Sequence, residues 1–120
     1  MVKKVRPKVV QGETIAMNSP CGKIFVTLNN DPETGRIMEV FVRFGKSGTC
    51  ASLVANALTM VTSYGLRSGM DVNDAIRGLT GHGCHKAPVF DGDEKITSCV
   101  DAIGKAIRLH SGGKGEPDEP

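Results

Sequence analysis

Four cysteines, Cys21, Cys50, Cys84 and Cys99, are the residues of this chain best suited to chemistry. No Cys-x-x-Cys pair occurs among them, so their spacing matches neither a zinc finger nor a zinc ribbon. Each stands at a junction between elements. Cys21 follows Ser19-Pro20 just before a strand. Cys50 lies in the first turn of a long helix, Cys84 in the loop Gly81-His82-Gly83, and Cys99 in the first turn of a last helix. Ends of different elements meet at such junctions, and ligands from distant parts of a chain can converge there. A helix N-terminus presents unpaired N–H groups and partial positive charge, which favour thiolate at Cys50 and Cys99. Thiolate is the form that binds zinc, at about 2.3 Å. Gly22, Gly48, Gly81 and Gly83 let backbone N–H groups approach the sulfurs. The alternative is that the cysteines are small apolar core residues with one free thiol. His82 and His85 flank Cys84. Each could replace one sulfur ligand or orient one from behind, and the plainer reading of each is an exposed loop histidine.

Other signals are weaker. Gly45-Lys46-Ser47 has the look of a phosphate-loop ending, but that loop needs a glycine five residues before Gly45, where Val40 stands. Nucleotide hydrolysis is not expected. A milder reading makes Arg43, Lys46 and Ser47, with the N–H groups that precede the long helix, a binding place for an anion such as a nucleotide phosphate. Its rival is a basic turn in water. Asp91, Asp93 and Glu94 read as solvated loop carboxylates, and no pair of acids suggests acid–base catalysis.

The elements that must position these groups divide the chain in two. Thr14–Met17, Lys23–Leu28 and Ile37–Phe44 are predicted strands, joined by Asn18-Ser19-Pro20 and by the hairpin loop Asn29–Gly35. A long helix is predicted from about Thr49 to Leu66. Its apolar positions Leu53, Val54, Ala57, Leu58 and Val61 follow helical spacing and are expected to form its buried face. A second helix fits Val72–Leu79, capped by Asp71, and a third fits Ser98–Leu109. Gly81–Lys95 reads as a loop. The expected organisation is a flexible basic start over 1–11, one metal-binding domain over 12–110, and a disordered tail over 111–120. The fold class is α+β: a three-stranded antiparallel sheet followed by about three helices packed on one face.

Composition bounds the function. The 120 residues suit a single domain, and a net charge of +2 does not indicate nucleic acid. No apolar run is long enough for a membrane span. The start lacks a secretory signal, so the chain is expected in the cytoplasm, where thiols stay reduced.

Thr97-Ser98-Cys99-Val100-Asp101-Ala102-Ile103 resembles the signature of the TSCPD domain. Cys21–Asn29, Glu39–Ala51, Leu66–Gly69 and Leu79–Lys86 are similar to other parts of that family, over about residues 12 to 109. All four cysteines fall on the family's cysteine positions. Val100 stands where the signature has proline, and His82 where a larger apolar residue is usual. The resemblance implies a zinc site of Cys21, Cys50, Cys84 and Cys99, with an iron–sulfur cluster as the alternative. It also implies kinship with the C-terminal appendage of adenosylcobalamin-dependent ribonucleotide reductases, a domain that also occurs as short free-standing proteins. The chain is too short to hold a reductase's barrel and corrin site. The implied role is therefore an accessory module that binds a nucleotide or a reductase-related protein, and an oligomer is compatible with it. The order of elements is also similar to that of iron–sulfur scaffold proteins. A metal carrier, or a thiol redox protein acting through Cys84 and a partner cysteine, is the rival from another class.

Overall fold

The computed structural model describes residues 3–45 and 49–112. Three antiparallel strands come first: β1 (Gln11–Met17), β2 (Ile24–Asn30) and β3 (Ile37–Phe44), paired in the order β1-β2-β3. Helices α1 (Cys50–Arg67) and α2 (Val72–Leu79) follow, then a small hairpin of β4 (Val89–Asp91) and β5 (Glu94–Ile96), then α3 (Cys99–His110). The α+β class and the three helices match the sequence reading. No helix among the described residues is long and apolar enough to cross a membrane.

Strand alternation builds the core. Ile24, Val26 and Leu28 pair with Phe44, Val42 and Val40, so all six share one face, and all are buried. Ile103, Ala106 and Ile107 of α3 belong to the same apolar cluster and are wholly buried. Each such valine, leucine or isoleucine contributes about 1.5–3 kcal/mol when removed from water.

Helix α1 departs from expectation. Its buried residues are Ser52, Ala55, Thr59, Thr62, Ser63 and Leu66, whereas Leu53, Val54, Ala57 and Val61 are exposed and Leu58 is half-buried. The reason is where the helix lies. It runs along β3, the edge strand, and bonds to the edge itself. The Val40 N–H donates to the Ser63 hydroxyl at 2.9 Å. The hydroxyl proton is shared between the Val40 and Thr59 carbonyls, each 2.9 Å away. Small and hydroxyl side chains suit that close approach. The apolar stripe is left facing outward.

The segment read as a loop over 81–95 contains the β4–β5 hairpin. Gly92, at φ +64°, supplies the positive φ that a two-residue hairpin turn requires. The basic start is engaged rather than merely solvated. Lys4 bonds Asp31 at 2.6 Å and Glu33 at 2.8 Å, and Arg6 bonds the buried Glu39 at 2.9 Å. Asn29 donates to the same carboxylate at 2.8 Å, and Lys3 sits over the Tyr64 ring.

Candidate metal centre

Three cysteines are brought toward one another by separate devices. Cys21 is held by the turn between β1 and β2. The Ser19 hydroxyl donates to the Gly22 carbonyl at 2.6 Å and accepts the Cys21 N–H at 3.2 Å, and Gly22 takes φ +106°. The β4–β5 hairpin braces this turn from outside, since Asp91 accepts the Asn18 N–H at 3.0 Å. Asp91 is therefore a positioning residue and not only a solvated acid.

Cys99 is the first residue of α3. Ser98 caps that helix by accepting the Asp101 N–H at 3.0 Å. Cys84 lies in the loop after α2, and Asp101 ties this loop to α3. One oxygen of its wholly buried carboxylate accepts the Gly81 N–H at 2.7 Å. The other accepts the Thr97 N–H at 3.0 Å and the Lys105 ammonium at 2.8 Å. Burial pushes the Asp101 carboxyl up, but those N–H donors and Lys105 outweigh it and hold it below the usual carboxylate range. Thr97 adds a second tie, donating to the His82 carbonyl at 2.7 Å. Asp101 is the residue the sequence reading missed. Its place at the third position of a capped helix was the available signal.

Close packing makes the arrangement possible. A Cβ at Gly104 would stand 2.6 Å from the Thr80 methyl and 3.0 Å from the Leu79 Cβ. The end of α2 thus rests directly on α3, and the Cys84 loop starts from that contact.

The electrostatics of Cys99 report its neighbours. Burial first, then the charge of Cys21 and a hydrogen bond with it, then the charge of Cys84, push the Cys99 thiol up to about 11. Its own backbone N–H works the other way and is weaker. The expected thiolate-favouring effect of the helix start is present at Cys99, and burial beside other sulfurs overrides it.

Cys50 begins α1 behind the Thr49 cap and is exposed, and it is not among the groups that act on Cys99. Among the described residues, no group of three or more histidine, cysteine, aspartate and glutamate side chains is placed to hold a metal ion. The ring Nε2 of His82 lies 2.7 Å from the Gly78 carbonyl, and His85 is exposed. The guanidinium of Arg43 stacks over the Phe25 ring at 4.9 Å. Lys46 and Ser47, the other members of the expected anion site, lie outside the described residues.

The donor set nonetheless suits a thiophilic cation. Cys21 and Cys84 both stand near enough to Cys99 to act on it, and burial together with those two neighbours disfavours its thiolate. A divalent cation would reverse that penalty. The family model described as the TSCPD domain matches residues 1–111 of the 120-residue chain. No curated protein and no solved structure gives a significant match.

Proposed function

Since this chain belongs to the TSCPD domain family, we propose that it is a metal-binding accessory module related to the appended domain of adenosylcobalamin-dependent ribonucleotide reductases. One zinc ion is held by Cys21, Cys84 and Cys99, and Cys50 completes the set. What supports this reading is the family match over residues 1–111, together with Cys21 and Cys84 standing near enough to Cys99 to act on it. Zinc closed by four thiolates supplies no open position for water, and its role is structural. The chain's own residues do the remaining work. The Ser19–Gly22 turn presents Cys21, Asp101 and Thr97 hold the loop that bears Cys84, and Ser98 orients the start of α3. The ion then pins the end of the sheet to two helix starts. The partner is a nucleotide or a reductase-related protein, as the family's setting implies.

Metal analysis of freshly purified protein tests this, with thiol counting before and after chelation. The expected result is colourless protein with one zinc per chain and thiols that react only after chelation. A brown preparation containing iron and sulfide would replace zinc by a cluster. Metal-free protein with four freely titrating thiols would end the proposal.

A further inference from the structure

The outward face of α1 carries an apolar pattern that its own fold uses only at Tyr64, under Lys3. Leu53, Val54, Ala57, Met60, Val61 and Tyr64 lie on one side of the helix, opposite the face that meets β3. Leu53 is 67% exposed, Val54 59%, Met60 51%, Val61 65% and Tyr64 45%. Leu53, Ala57, Met60 and Tyr64 alternate by four, three and four residues, the heptad seam by which one helix packs on another. From Cys50 to Leu66 the helix carries no charged residue. A solvent-facing stripe normally has charges along it, and here the charges stand only at its C-terminal end, where Lys3 and Arg67 lie over the Tyr64 ring.

The stripe is also symmetric. Leu53 and Val61 lie four residues before and after Ala57, and Val54 and Met60 lie three before and after it. We propose that two copies of this chain form a dimer by packing their α1 helices antiparallel across a two-fold axis at Ala57. Leu53 of one copy then meets Val61 of the other, and Val54 meets Met60. Ala57 at the centre lets the backbones approach. An isologous interface must be complementary to itself, and a palindrome of apolar residues about a small one meets that condition. A partner with charges on its surface would have to bury them unpaired against this helix, whereas a second copy brings none between Leu53 and Val61, its Lys3 and Arg67 standing at the rim by Tyr64. The exposed side chains offer at most on the order of 500 Å² per copy, so a pair can approach the roughly 1,000 Å² at the low end of specific interfaces. This inference does not depend on the metal.

Sedimentation velocity of the full chain at micromolar concentration tests it. Wild-type protein is expected to sediment as a dimer. Val61→Glu and Ala57→Glu should each weaken association about a hundredfold with an unchanged circular dichroism spectrum. Phe90→Glu, at an exposed apolar residue away from α1, should leave the dimer intact. Leu53→Lys alone should dissociate it, and Leu53→Lys combined with Val61→Glu should restore it. Only an antiparallel pair brings those two positions together across the axis, so the rescue reads geometry rather than folding. A wild-type monomer at every concentration, a dimer that survives both glutamate variants, or a double variant that stays monomeric would overturn the proposal.

Discussion

The Ser63 hydroxyl serves both backbone groups of Val40, accepting its N–H and reaching its carbonyl at 2.9 Å each. In this way a helix covers the free edge of a sheet, where unpaired backbone would otherwise invite another strand. Ser63→Ala removes both bonds and leaves buried groups unpaired. It is expected to lower stability by about 1–3 kcal/mol, read from the urea midpoint. An unchanged midpoint would mean that water reaches the edge.

Gly104→Ala sets two effects against each other. Alanine favours the helix by about 1 kcal/mol over glycine. The added methyl, however, would stand 2.6 Å from the Thr80 methyl and 3.1 Å from the Leu79 carbonyl carbon. Thr80 cannot easily yield, because its hydroxyl donates to the Ile76 carbonyl at 2.8 Å. Overpacking of this kind costs about 1–3 kcal/mol, so a net loss is expected in thermal unfolding. The same variant should bind metal less tightly, since the loop bearing Cys84 begins at this contact. A stabilised variant would show that the two helices can part without penalty.

Alkylation of chelator-treated protein should separate the thiols. Cys50 and Cys84 are exposed, while Cys99 is buried and pushed up to about 11. Since the thiolate is the reactive species, Cys99 should react about a hundredfold more slowly near neutral pH from its shift alone, and burial slows it further. Peptide mass spectrometry after timed labelling gives the order. Fast labelling of Cys99 would contradict the clustering of sulfurs around it.

Acid should release the basic start. The Lys4 ammonium, the Glu33 N–H and the Thr34 hydroxyl hold the Asp31 carboxyl below the usual carboxylate range, against a smaller opposing effect of burial. Its folded pKa is thus below its unfolded one. The stability it contributes is present above about pH 4 and is lost as pH falls through the folded value. Lys4 is raised by Asp31 and Glu33, so its share is present below its ordinary pKa and is lost only in strong alkali. Asp31→Asn should therefore narrow the gap to wild type as thermal unfolding is followed from pH 6 down to about pH 2.5. Parallel curves over that range would show that the Lys4 bond adds nothing.

Much of the fold was legible because local rules and tertiary packing agree. Alternation marked Ile37–Phe44, and Asp71 announced α2 by the side-chain oxygen that a cap requires, while Ser98, read as the first residue of α3, is its cap. The β4–β5 hairpin was less legible, because strands of three residues carry almost no periodicity. Only Asp91-Gly92 hinted at its turn.

The cysteine types and their places at element ends were determined by the sequence alone, as was the pattern of apolar residues on α1. Which side of α1 is buried was not, because periodicity shows that a helix has two faces and does not say what each one meets. The tertiary structure decided it by laying α1 against a strand edge, where hydroxyls that bond to backbone outperform larger aliphatic groups. The state of Cys99 was decided in the same way. A helix start lowers a thiol pKa locally, but burial beside Cys21 and Cys84, which arrive from 78 and 15 residues away, raises it more.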